Sequence, residues 1–144
     1  MTRFIDLSHA IEHGMPTYKG VAPPHICDYW TRDQSRAAYS DGSSFQMGRI
    51  DMVSNTGTYL DAPFHRYEEG DDLAALDLDR LADLPAIVVR RPYDRVGLAT
   101  DATDLAGLDV AGKAVLFHSG WDRHWRTPAY FDDHPFLTEA AAQG

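Results

Sequence analysis

Asp61 and His65 stand four residues apart in the segment Ser54-Asn55-Thr56-Gly57-Thr58-Tyr59-Leu60-Asp61-Ala62-Pro63-Phe64-His65. Gly57 and Pro63 bracket a tight, irregular backbone path, because glycine opens conformations closed to other residues and proline fixes φ. An ionised carboxylate only accepts hydrogen bonds, whereas imidazole takes up and releases a proton near neutral pH. The two groups on one rigid turn suit hydrolytic chemistry. Positions 55 and 59 decide whether a metal can join them. The Asn55 carboxamide oxygen is a hard donor, better suited to calcium, magnesium or manganese than to zinc. Tyr59 would ligate only after giving up its phenolic proton. A purely structural reading has Asp61 capping the turn through backbone N–H groups, His65 bonded to its own loop, and Asn55 bonded to Tyr59.

Several elements must position this loop. Phe4 to Leu7 reads as a short strand with Ser8 and His9 at its exit. Residues 13–25 hold Gly14, Pro16, Gly20, Pro23 and Pro24, which predicts an extended loop. Residues 33–44 are polar and contain Asp41-Gly42-Ser43, a turn signal. Residues 45–53 regain β character, with neither face cleanly apolar. Arg66 to Asp72 reads as a solvated acidic loop, and Leu73, Leu76, Leu78, Leu81 and Leu84 as a core-facing stripe. Ala86 to Arg90 and Ala114 to Phe117 have the pattern of buried strands, and residues 138–142 that of a short helix. By itself the pattern predicts an α/β or α+β chain with several short strands.

At 144 residues the chain is read as a single domain, or part of one. A formal charge of −9 argues against a nucleic-acid partner, because phosphates would be repelled. The single cysteine, Cys27, rules out an intramolecular disulfide framework and a cysteine-rich zinc site, and reads as a small half-buried apolar residue. No apolar run approaches the length of a membrane span, and Met1 to Leu7 lacks the apolar core of a signal peptide. A cytoplasmic protein with a small-molecule partner is the expectation. A serine triad is not supported, since no Gly-x-Ser-x-Gly occurs, and no phosphate-binding glycine loop is present.

Three blocks carry a resemblance. Thr58, Asp61, Pro63 and His65 stand in the register of a His-x-Gly-Thr-His-x-Asp-x-Pro-x-His signature. Phe4 to His9 followed by Gly14 to Tyr18 forms the second block, and Val115 to Trp121 with Trp125 and Pro128 to Phe131 the third. Together they resemble the cyclase family of metal-dependent hydrolases, which includes kynurenine formamidases and isatin hydrolases. The resemblance implies a swivelling β/α fold with a central mixed sheet, flanking helices and homodimers or higher homo-oligomers. It implies one cyclase-type domain over residues 1–144 that lacks the family's C-terminal portion. Asp61 falls on a ligand for a divalent metal, zinc or manganese, and His65 on the proton-transferring histidine. Asn55 and Tyr59 fall where the family places ligand histidines. Trp121, Trp125 and His9 fall near the substrate, which with Tyr130 and Phe131 suggests a flat or aromatic molecule. The activity implied is arylformamidase-like hydrolysis of a C–N bond in a formamide or cyclic amide. The alternative is a metal-less, non-catalytic relative that binds a small molecule or serves a structural role.

Overall fold

Proline-rich and glycine-rich sequence fills residues 14–24, and strand structure begins only where it ends. The computed structural model describes residues 4–143, which fall into two units dividing after Gly70. Phe4, Ile5 and Leu7 form no strand: they are exposed, and no described segment hydrogen-bonds to them as a ladder partner. The loop predicted over residues 13–25 is present up to Pro24, His25 being already in a strand, and the Gly14 N–H donates to the Pro24 carbonyl at 2.8 Å.

The first unit is built on an antiparallel hairpin, β1 (His25–Trp30) with β2 (Met47–Asp51). Strand β1 lies at the end of a segment that reads as loop from its prolines. Its β-branched and aromatic residues Ile26, Tyr29 and Trp30 supply the strand preference. Cys27 lies on this strand and is exposed rather than half-buried. Between the strands, Thr31 starts a short helix, α1 (Arg32–Arg36), through a reciprocal cap with Gln34. Ser35, 1% exposed, fixes the return path: its hydroxyl donates to the Phe45 carbonyl at 2.6 Å and accepts from the Phe45 N–H at 2.9 Å. Met15 is the buried hydrophobic side chain of this unit among the described residues.

The second unit holds two parallel ladders. Strand β3 (Ala86–Arg90) pairs with β5 (Ala114–His118), as the two apolar runs predict. Their burial is less complete than the pattern implies, with Val89 buried and Val88 half-exposed. The leucine stripe before β3 is likewise mixed: Leu73 and Leu78 are exposed, whereas Leu76, Leu81 and Leu84 are partly covered. After a single helical turn, α2 (Tyr93–Val96), strand β4 (Ala99–Thr100) pairs with β6 (Phe136–Leu137). The last helix, α3 (Glu139–Gln143), buries Ala141.

Two polar groups hold these pieces. Arg91 donates to the Ala99 carbonyl at 2.7 Å and pairs with Asp104 at 2.8 Å. Asp101 caps the turn at residues 102–104 and accepts the Thr138 hydroxyl at 2.8 Å, while Thr138 accepts the Ala141 N–H at the start of α3. The α/β class expected from the sequence is therefore present. Its strands form three separate two-stranded ladders, where the resemblance implies a central sheet. Each strand has hydrogen-bonded to one neighbour only, so no wider sheet is built among the described residues. No helix of the described residues is long and apolar enough to cross a membrane.

The Thr138 hydroxyl and then the Ala102 N–H hold the Asp101 carboxyl below the usual carboxylate range, against a smaller opposing effect of burial. A carboxyl depressed in the folded state adds stability above its unfolded value, near ~3.9, and loses it as pH falls through the folded value. Asp101→Asn is therefore expected to flatten the fall in melting temperature between about pH 5 and about pH 2. An acid-melting profile as steep as that of the unaltered chain would count against this role for Asp101.

Candidate functional site

The signature loop is organised from its backbone outward. Thr56 is buried, and its hydroxyl donates to the Val53 carbonyl at 2.7 Å, closing the chain after β2. Gly57 follows with φ +69°, in the left-handed region, and Ile11 and Met15 lie 3.4 Å from where its Cβ would be. Glycine is required there by the dihedral, and the N-terminal loop packs over it. Pro63 then opens a one-turn 3-10 helix, Pro63–His65, with Ala62 as its extended N-cap. Proline suits this position because its missing N–H has no partner to lose in the first turn. The His65 N–H donates to Ala62, and the Arg66 and Tyr67 N–H groups both donate to the Pro63 carbonyl.

This turn brings Asp61 Oδ1 to 3.7 Å from His65 Nδ1, with each side chain a little under half exposed. The separation is longer than a closed hydrogen bond, and the two groups carry opposite charges only when His65 takes up a proton. The pair opens onto a cleft of about 440 Å³ lined by Tyr59, Asp61, Pro63, His65, Arg66 and Tyr67 among others. Of the residues singled out from the sequence, the fold brings Tyr59, Asp61 and His65 to this one cleft. Asn55 and His9 do not line it. Asn55 Oδ1 accepts the Ser54 hydroxyl at 2.9 Å, and no hydrogen bond joins it to Tyr59 among the described residues. The expected Asn55–Tyr59 pair is thus replaced by a contact between sequence neighbours, which costs less ordering.

Trp121 and Trp125 belong to the second unit. There the Trp121 indole N–H donates to the Tyr130 carbonyl at 3.0 Å, and its ring packs against Tyr93 and His124. Trp125 packs edge-on against Tyr130. Tyr93 Oη lies 2.7 Å from His124 Nε2, a contact that nothing in the local sequence pattern marks. Arg66 and Tyr67 were missed for a different reason. They begin a run of charged residues that reads as a solvated turn, whereas the 3-10 helix points this end of the run at the cleft.

The chain matches the Cyclase family over residues 5–144. It belongs to that family. Among curated proteins it is similar to a kynurenine formamidase of Geobacillus thermodenitrificans (strain NG80-2), at 33% identity over 130 residues, covering 89% of this chain and 57% of the relative. A kynurenine formamidase of Erythrobacter litoralis (strain HTCC2594) is 30% identical over 129 residues, covering 87% and 54% respectively. The chain thus spans about half the length of these relatives. A solved structure described as a potential metal-dependent hydrolase with cyclase activity superposes with a TM-score of 0.65 at 26% identity, over 96% of this chain and 60% of that one.

The donor set beside the cleft does not fit a family-type zinc centre. Such a centre takes three protein ligands. Of the three positions that the resemblance makes ligands, Asp61 keeps its carboxylate, Asn55 is engaged by Ser54 and Tyr59 carries a phenol, and no group of three His, Cys, Asp or Glu side chains converges among the described residues.

Gly70 limits how the dyad can be held. A Cβ there would lie 2.8 Å from the Pro63 carbonyl carbon and 3.0 Å from the Phe64 nitrogen, both backbone atoms that cannot swing aside. Gly70→Ala is expected to cost about 1–3 kcal/mol through overpacking and to displace His65 from Asp61. An unchanged melting temperature would show that the Pro63–Gly70 contact is not a constraint.

Proposed function

We propose that this chain carries the proton-transfer site of a cyclase-family hydrolase that cleaves the C–N bond of a small aromatic formamide. The observation that carries the reading is the Asp61–His65 pair at 3.7 Å on the rim of an open cleft. Asp61 faces Nδ1, which favours the tautomer with its proton there and leaves the Nε2 lone pair for a water molecule. As that water attacks the formyl carbonyl, His65 takes one of its protons and Asp61 stabilises the imidazolium. Collapse of the tetrahedral adduct breaks the C–N bond, and His65 returns the proton to the departing amine nitrogen. The products are formate and the free amine. The sequence pattern adds a cytoplasmic setting to this reading, and the family resemblance a homodimeric one.

A second reading is favoured by Asn55 and Tyr59, which stand at the ligand-histidine positions: a relative that binds its small molecule without turnover. Formate release from formanilide by the purified chain, with and without added zinc or manganese, separates the two. His65→Ala is expected to lower the rate by about 10²–10⁴-fold and Asp61→Asn by a smaller factor. Turnover that survives His65→Ala would remove His65 from the reaction. Asn55→His combined with Tyr59→His is expected to create tight zinc uptake, measured by elemental analysis after dialysis. A double variant that stays metal-free would mean that loop geometry, not ligand identity, separates this chain from its relatives.

A further inference from the structure

We infer that Arg66 makes the cleft selective for substrates that carry a carboxylate next to the scissile amide. The inference rests on the proposed function in taking this cleft as the substrate site. Arg66 follows His65 directly and is the C-cap of the Pro63–His65 turn, its N–H donating to Pro63 at 3.0 Å. Its backbone is therefore fixed to the same turn as the dyad, and the residue lines the same cleft. The arginines Arg36, Arg49, Arg91 and Arg123 each face a carboxylate at 2.9, 3.9, 2.8 and 3.1 Å. Arg66, like Arg32, Arg80, Arg90 and Arg95, faces no carboxylate among the described residues, and what sets it apart from them is its place in the cleft lining. Glu68 and Glu69 follow it within three positions, yet neither lines the cleft or pairs with it.

Whole-chain charge works against anions here, since the net value is −9. Any selection for an anion must therefore be local, and a guanidinium at the cleft wall provides it. Its planar fork matches a carboxylate through two parallel N–H···O bonds, which a lysine point charge does not reproduce. Asp61, the one carboxylate in the lining, is turned toward His65 Nδ1 and so is partly offset there. Tyr59 and Tyr67 add two exposed rings to the same wall. An aromatic acid with its amide beside the carboxylate would set its charged end on Arg66 and its carbonyl toward His65.

Two probes share a ring and a formamide and differ in charge: 2-formamidobenzoate and formanilide. Titration calorimetry of the purified chain is expected to show about tenfold tighter binding of 2-formamidobenzoate, the size of one charge-assisted contact. Raising salt from about 50 mM to about 500 mM should erode that preference. Arg66→Gln should abolish it while leaving formanilide binding within about twofold, and Arg66→Lys should keep part of it. Equal binding of the two probes, binding of neither, or a preference that survives Arg66→Gln would overturn the inference. Formate release is read in the same samples and tests the proposed function separately. Preference without release supports the role of Arg66 and counts against hydrolysis. Release without preference overturns the role of Arg66 and leaves hydrolysis standing.

Discussion

Between Gly70 and the Pro63–Phe64 peptide there is no room for a methyl group, and the candidate site depends on that closeness. The Pro63 ring sets the entry angle of the 3-10 helix, its carbonyl gathers the N–H groups of Arg66 and Tyr67, and Gly70 closes on the far side. A turn pinned in this way presents Asp61 and His65 on one side without help from a long helix or a broad sheet. The dyad is held by main-chain geometry, so side chains around it are left to vary. Arg66 and Tyr67 illustrate that freedom.

The two positions that would complete a metal centre have gone separate ways. Asn55 turns to its neighbour Ser54, while Tyr59 stays at the cleft as an exposed ring. Oxygen donors of these kinds ask for harder cations than imidazole does, or for none. The family match and the altered donor set are both firm properties of this chain, and they bear on different questions. The match speaks of descent and fold. The donor set speaks of the chemistry that this part of the chain retains.

Sequence pattern found those parts of the structure whose cause is local. Strands β3 and β5 are runs of apolar and β-branched residues and stand where the pattern puts them. The placing of Asp61 and His65 on one turn was legible because proline and a four-residue spacing define a turn without tertiary help. Strand β1 was hidden, since its prolines just upstream speak for loop and its pairing with β2 is a tertiary fact. Phe4 to Leu7 failed in the opposite sense: strand preference is present, but no ladder partner is. Gly70 carries no signal in sequence, because its importance lies in a backbone it touches rather than in its own conformation. The contact of Tyr93 with His124, 31 residues apart, is invisible for the same reason.

Sequence separation also divides the signature turn from the parallel ladders in time. Forming the β3–β5 ladder joins residues such as Arg90 and His118, 28 apart, and the Asp101–Thr138 bond closes a loop of 37. Those closures cost chain entropy before any contact returns it. The bonds that shape the Pro63–His65 turn reach only three or four residues along the chain. The turn bearing the dyad can therefore take shape on a faster clock than the parallel ladders, with its geometry written into a stretch of sequence short enough to fold on its own neighbours.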